Sequence, residues 1–465
     1  MTTGTGNGRH AVVIGASLAG MLSARVLTDH FERVTVVERD ILQAGAEPRS
    51  GVPQAKHPHI LFEGGRRIMD ELLPGMSEAL VDAGAVTVSL PDDLLLHTRP
   101  GWLNRTKDSG VFETLSFSRP LLDLTVRRKV VDLPGIEVLE RHEAVGLLSG
   151  DGGRTVSGVR LRPRPSEEGE VSGGGPRDLT ADLVVDASGR SSKTPRWLAE
   201  LGLPEPEVAR VSVNPGYATR VFRRAGPFDG WKSMIILAHP GSPRGGVLMP
   251  MEDGRWIASL NGMGTDHPPT DEDGFLEFAR SLPTPLLHDT VKGCEPLGPV
   301  LGYRHGDNVH HRYEKLAAQP DGLLVTGDAF RSFNPIYGQG MTVTAIGAQV
   351  LRECLRTRAG SGLAGLTKDF QRRLAKASEP AWRMATGSDM AHPVAEGPAR
   401  PAPERVISRY VRRVENAAVL GGPVTRAFLR VMQMVSSPAV LFRPDVVFRV
   451  LRDGGKSAPT PPGLE

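Results

Sequence analysis

Three groups of residues have the types and spacing to do chemistry. The first is Gly15-Ala16-Ser17 with Gly20 and, further along, Glu38 followed by Arg39. A glycine permits a tight turn out of a strand, and a second lets the following helix pack closely against that strand. An acid about 20 residues on accepts hydrogen bonds from ribose hydroxyls. The backbone N–H groups at the helix start then face a pyrophosphate. Ser17 occupies the place where a middle glycine usually gives the closest backbone approach. A phosphate therefore either lies slightly further out or accepts from the Ser17 hydroxyl. Glycine-rich strand–helix turns also occur with no ligand, and Glu38 is what turns the reading toward a dinucleotide.

The second group is Gly327-Asp328 and the loop that carries Pro335, Gly338 and Gly340 ahead of Met341. It repeats the same logic: an acid at a strand end, a glycine-rich loop, and a helix N-terminus that can point at a second part of one ligand. The third is the polar loop 49–61, which holds Arg49, Gln54, His57 and His59, with Arg119 beyond it. Arg119 falls near a helix N-terminus, either as a solvated surface arginine or as a charged donor to a ribose or phosphate oxygen. The paired histidines have no carboxylate or cysteine at ligand spacing, so no metal is expected.

These groups need elements to position them. Residues 11–14, 18–27 and 34–37 predict a strand, a helix and a strand, together one βαβ unit. Residues 64–73 have helical spacing, and 116–127 combine a capping serine, a proline in the first turn and an apolar face. Residues 80–114 alternate in short pieces and read as strands that interrupt the nucleotide fold. Residues 136–139 and 156–161 resemble strands, 163–177 a mobile hairpin tip, and 179–189 a single buried strand ending in a polar turn. Asp182 and Asp186 are most simply strand-end acids. Alternating runs over 211–260 predict an antiparallel sheet large enough to wall a cavity, 275–282 a short helix, and 341–355 a long one.

With 465 residues, two or three packed domains are expected. The 56 Lys and Arg against 53 Asp and Glu give a net charge of only +3, and no nucleic-acid-binding motif is present, so no nucleic-acid partner is expected. Residues 400–456 nevertheless hold eleven Lys or Arg against four Asp or Glu. That basic tail has helical apolar spacing. It reads either as a helical cap on the other domains or as a surface for a membrane or an acidic carrier protein. Two cysteines, Cys294 and Cys354, make no disulfide framework, and a cytoplasmic location is expected. No secretion signal or membrane span is evident.

Taken in order, the Gly15-to-Glu38 fingerprint, the Arg49-Ser-Gly-Val-Pro-Gln54 loop, Arg119, the 182–189 strand and the segment Gly327-Asp328…Pro335…Gly338-Gln-Gly340 resemble single-component (class A) FAD-dependent monooxygenases of the para-hydroxybenzoate hydroxylase type. The loop 51–59 and the segment 250–256 look like the squalene-epoxidase-like branch that includes bacterial polyether epoxidases. The resemblance covers roughly residues 10–390. It implies an α/β fold with α+β mixture. A Rossmann-like FAD-binding domain over 1–80, 116–205 and 301–390 is interleaved with an antiparallel-sheet substrate domain over 81–115 and 206–300, and a helical region follows over 391–465.

The resemblance also implies residue roles. Glu38 holds the adenosine ribose, Arg49 and Arg119 lie along ribose and pyrophosphate, Asp328 binds the ribityl–phosphate region, and Pro335 to Gly340 lie beside the flavin ring. Gly15, Ala16, Ser17, Gly20, Arg39, Gly327 and Met341 complete the cofactor set. The family's Asp-Gly pair is here Ser188-Gly189, which puts the pyrophosphate side in question. The implied activity is oxygenation through a flavin C4a-hydroperoxide, with NADH or NADPH as a transient co-substrate. The substrate expected is a large apolar olefin, polyketide-like and possibly carrier-bound, that becomes epoxidised. No side chain is assignable as a catalytic base, which favours an olefin over a phenol. Aromatic hydroxylation and reduction of isoprenoid double bonds on the same fold are the alternatives. A halogenase is disfavoured because Trp-x-Trp-x-Ile-Pro is absent, and a flavin-binding scaffold without activity is the non-enzyme reading.

Overall fold

The strand Gly8–Ile14 runs through the middle of a five-stranded parallel sheet, in the order Leu323–Val325, Leu183–Asp186, Gly8–Ile14, Phe31–Val37, Ile136–Leu139. These strands are near-continuous apolar runs because both faces are covered, which parallel pairing with crossover helices requires. Helices Leu18–Leu27, Arg119–Val131 and Gly340–Arg356 bury their apolar sides in the same core. The computed structural model describes residues 8–49, 51–105, 112–165, 175–304, 306–358, 360–399 and 402–456. Much of the hairpin tip expected over 163–177 lies outside the described residues.

A seven-stranded sheet forms the second layer, in the order Leu301–Tyr303, Gly216–Arg223, Arg255–Gly262, Gly245–Met251, Ser233–Ile236, Leu94–Thr98, Gly101–Trp102. Its one parallel pair joins Ser233–Ile236 to Leu94–Thr98, so the sheet is not antiparallel throughout. Period-2 alternation splits its faces. Ala218, Phe222, Leu248, Trp256, Ala258 and Leu260 point to a core closed by the helices Glu272–Arg280 and Leu286–Val291. Tyr217, Thr219, Val221, Ile257, Ser259 and Asn261 alternate with them on the opposite face.

Residues 179–189 form two strands, not one. Arg177–Thr180 pairs antiparallel with Thr155–Pro163, whereas Leu183–Asp186 joins the parallel sheet. The break falls at Asp182, whose Oδ2 accepts from the N–H groups of Arg9 (2.7 Å) and His10 (2.9 Å) and so ties the chain to the start of Gly8–Ile14. Hydrophobic pattern alone cannot register such a change of sheet.

The tail is helical, as its spacing predicts: Ala402–Ala418, Pro423–Met432 and Pro444–Asp453. Val414, Val424, Val431, Val446 and Val450 give it a small core. Leu429 packs with Val88, Leu90, Leu94 and Phe112 of the inserted strands. Just after the second of these helices Gln433 accepts from the N–H of Glu63 through its side chain (3.0 Å) and from that of Gly64 through its carbonyl (2.9 Å). Arg409, Arg412 and Arg413 are exposed on the first of these helices. Among the described residues no helix is long and apolar enough to cross a membrane.

Candidate functional site

The turn after Gly8–Ile14 is shaped by two glycines. Gly15 has φ +100°, and a Cβ there would lie 2.8 Å from the carbonyl oxygen of Ala187. A Cβ on Gly20 would overlap the carbonyl oxygen of Gly15. The helix therefore starts directly over the strand end. Its N–H groups at Leu18, Ala19 and Gly20 have no partner within the helix, since the first intrahelical bond runs from Met21 to Ser17.

Around this start the charged residues converge. Glu38 is 7% exposed. Its Oε2 accepts from the N–H of Ala16 (2.8 Å) and from Arg49 Nη1 (3.2 Å), and its Oε1 from the N–H of Asp40 (3.0 Å). A carboxylate has about four lone-pair sites, so one remains for a ligand hydroxyl. Arg119 is buried and donates from Nη2 to Ser17 Oγ (3.1 Å) and from Nε to Asp123 (2.9 Å). The Ser17 oxygen is thus occupied, and its proton is left to donate outward. Gly15, Ser17, Glu38, Arg39 and Arg49 line one pocket with Ser188, Lys193 and Trp197. The helix-start N–H groups with the buried Arg49 and Arg119 supply donors and the buried Glu38 an acceptor, a set that fits a diphosphate carrying a ribose.

Ser188 does not face this pocket as a free hydroxyl. Asp186, wholly buried, accepts from the Ser188 N–H (2.9 Å) and from the hydroxyls of Ser188 (2.5 Å), Ser192 (2.5 Å) and Thr194 (2.6 Å). Asp186 is therefore more than a strand-end acid: it folds the 188–194 loop. That loop presents Arg190, whose Nε lies 3.5 Å from Asp328 Oδ2 and whose guanidinium also donates to the carbonyls of Phe333 and, at 3.2 Å, Asp307. Gly327 has φ +60°, and a Cβ there would lie 2.8 Å from the Ala19 side chain, so the second strand–acid turn abuts the first helix.

Beyond Asp328 the loop reaches the helix Gly340–Arg356. Pro335 is exposed, Gly338 turns with φ +64° against Ile60, and Gly340 opens the helix. The Met341 side chain belongs to the core, so only its backbone N–H is placed as a helix-start donor. Gln339 is 2% exposed and its Oε1 has no partner among the described residues. Across from the loop, His57 Nδ1 is 2.8 Å from Thr219 Oγ1, and Thr219 is 2.7 Å from Ser259 Oγ. Met249, Met251 and Ile257 form an apolar patch with Ile60 and Val221. Asn261 Nδ2, buried on the same sheet face, has no partner among the described residues. Burial, with Lys56 nearby, pushes His57 down to about 4. Burial, with Arg119 nearby, pushes His59 down to about 3. Both rings are neutral at pH 7, so the face they meet carries no charge from them.

The structure thus brings the predicted residues into one connected path from Glu38 to Gly340. Arg190, Asp186 and Thr219 are parts of that path the motifs did not single out. Only Asp186 had a legible signal, an acid at a strand end followed by Ser188, Ser192 and Thr194.

The chain matches no protein-family model. It is 32% identical over 401 residues to protein Rv3254 of Mycobacterium tuberculosis, spanning 85% of this chain and 84% of that protein. It is 24% identical over 361 residues to squalene epoxidase 2, mitochondrial, of Arabidopsis thaliana, spanning 77% of this chain and 55% of that protein. A flavoprotein/dehydrogenase from Cytophaga hutchinsonii superposes with a TM-score of 0.64 at 15% identity, covering 93% of this chain and 95% of that one. The myxobacterial chondrochloren halogenase CndH, a variant of the FAD-dependent halogenases, does so with a TM-score of 0.62 at 15% identity, covering 94% and 99%. The chain belongs to the family of protein Rv3254 and has the fold of the FAD-binding monooxygenases.

Proposed function

We propose that the chain is an FAD-dependent monooxygenase that draws electrons from NADH or NADPH and epoxidises an olefin of a large apolar, polyketide-like substrate such as a polyether precursor. The observation that carries this is the sheet face opposite the Pro335–Gly340 loop, where methionine and aliphatic side chains adjoin neutral Thr219, Ser259 and His57. Epoxidation needs an apolar chamber that orients a double bond, whereas hydroxylating a phenol needs a base to ionise it. The likeness to a squalene epoxidase and to a kynurenine 3-monooxygenase supports a monooxygenase, and the choice of an olefin rests on the sheet face alone.

The residues fit FAD. Glu38 would take the ribose, the helix start with Ser17 and Arg119 the pyrophosphate, and Asp328 the ribityl side, while the donors at Gly340 and Met341 would face the ring. Bound FAD, once reduced, supplies the oxygen-activating chemistry. The chain's own part is to orient and to exclude water. Arg190 holds Asp328 and the 331–334 segment in place, and the apolar patch keeps the chamber dry.

Two variants probe this directly. In Glu38→Ala a charged hydrogen-bond acceptor is lost, worth about 1.5–3 kcal/mol, so the FAD dissociation constant rises about 10- to 100-fold in a fluorescence titration. An unchanged constant counts against the assignment. In His57→Gln turnover stays within about fivefold of wild type, because a working general base would contribute about 100-fold or more. A larger loss points to phenol chemistry. The deciding assay follows NAD(P)H and oxygen-18 with candidate polyenes. Label in an epoxide is the expected result, and product formed without oxygen assigns the chain to double-bond reduction instead.

A further inference from the structure

Behind the Pro335–Gly340 loop lies a buried carboxylate that the contacts above do not use. Asp389 ends the helix Leu366–Asp389 and has no exposed surface. Its Oδ1 accepts from the Tyr337 hydroxyl (2.5 Å) and lies 3.2 Å from Asn334 Nδ2, and its Oδ2 accepts from Asn308 Nδ2 (2.6 Å). Asn334, also fully buried, donates its N–H to Asn308 Oδ1 (2.9 Å). Asn334 Oδ1 accepts from the Tyr217 hydroxyl and from the N–H of Ile336 (3.3 Å). Tyr217 belongs to the strand Gly216–Arg223, on the sheet face that carries Thr219.

Apolar packing could have held this loop closed without the cost of burying a carboxylate. What Asp389 adds is direction. It holds Asn334 and Tyr337, the residues on either side of Pro335-Ile336, and Asn334 in turn grips a tyrosine of the opposite wall. We propose that Asp389 is a positioning residue for the Pro335–Gly340 loop, locking it in register with the sheet face so that the flavin side and the substrate side of the site are held as one unit. The assignment of those two sides rests on the monooxygenase reading above.

Burial pushes the Asp389 carboxyl up to about 6, opposed by its bonds from Tyr337, Asn334 and Asn308 and aided by nearby Asp307. The other titratable groups around it are Tyr217 and Tyr337, both raised by burial, and His392, lowered by burial; Asp307 is paired with Arg210. The folded-state value lies above the ordinary carboxyl value, so folding favours the neutral form. The contribution of Asp389 to stability therefore falls as pH rises from about 4 to about 6 and is level above that. The same sign holds for the loop: an opening that solvates Asp389 returns its carboxyl to the ordinary range, so the closed loop is favoured below pH 6 and is held less firmly as the carboxylate forms.

Hydrogen exchange of residues 331–345 in the full chain, without and with FAD, tests this from pH 5 to pH 8. In wild type the protection of the loop relative to the parallel sheet falls across that range. Asp389→Asn flattens the fall and lowers protection about tenfold at pH 5, and Tyr337→Phe lowers it while keeping the pH dependence. The FAD dissociation constant rises about tenfold in Asp389→Asn, with a changed flavin absorption band. Unchanged loop protection in both variants overturns the proposal. A wild-type chain that binds no FAD overturns the cofactor reading alone, because exchange in the FAD-free chain still decides the role of Asp389.

Discussion

Gly20→Ala is expected to abolish FAD binding and lower the melting temperature, although it adds a single methyl group to a helix, where alanine is ordinarily the better residue. The added Cβ would overlap the carbonyl oxygen of Gly15, with the Gly15 carbonyl carbon at 2.9 Å and a Val13 methyl at 3.4 Å. None of these is the end of a flexible side chain. The helix must lift off the strand or the Gly15 turn must open. Overpacking of this kind costs about 3 kcal/mol. The same shift displaces the N–H groups of residues 18–20 and the Ser17–Arg119 contact, and a misplacement of about 1 Å costs about 100-fold in a site that works by geometry. Flavin content after purification and a thermal melt check both arms. Gly293→Ala, where a Cβ meets nothing within 4 Å, should leave both unchanged and serves as the control. A Gly20→Ala chain that retains stoichiometric FAD would show that the helix start is not where the cofactor lies.

That site was legible because its signals are local. The apolar strand, the glycine turn and the acid at Glu38 lie within 31 residues, and each acts on its near neighbours: Glu38 accepts the N–H of Ala16, a contact 22 positions apart. The same holds for the Ser118 cap, whose hydroxyl accepts from the N–H of Leu121. The strand–helix alternation therefore gave the fold class, and the resemblance supplied the order of the parts. Asp389 is the opposite case. Its partners lie 52, 55 and 81 positions away, on elements that meet only when the sheets and the helix Leu366–Asp389 have packed. Nothing in its own neighbourhood sets it apart from a helix-end acid. Ser188 falls between these extremes. Its departure from the family pattern was visible, but its consequence was not, since the hydroxyl turns away to Asp186.

Asp186→Ala is expected to have the second large effect, and it reaches the site from beneath. The carboxylate lies at the end of a central strand, flanked by Ile14 and Val325, with no solvent to replace it. Removing it leaves one N–H and three hydroxyl donors without their acceptor in a confined space. An orphaned buried donor such as the Thr194 hydroxyl costs about 1–3 kcal/mol, and breaking a buried charged cluster costs about 3–5 kcal/mol in all. The loop 188–194 then loses its shape, and with it the Arg190 contacts to Asp328 and to the Phe333 carbonyl. Two ends of the cofactor cleft should therefore fail together: Ser188 and Lys193 on the pocket side and the 331–340 loop on the ring side. Asp186→Asn keeps the shape and one acceptor oxygen, and the hydroxyls can rotate to meet its amide, so its loss should be about 1–2 kcal/mol. Chemical denaturation compared with FAD titration separates the two levels. In Asp186→Asn the cofactor should weaken more than stability accounts for, because Arg190 is displaced before the sheet is. If Asp186→Ala melts with wild type and still binds FAD, the hydroxyl cluster is not what folds this loop.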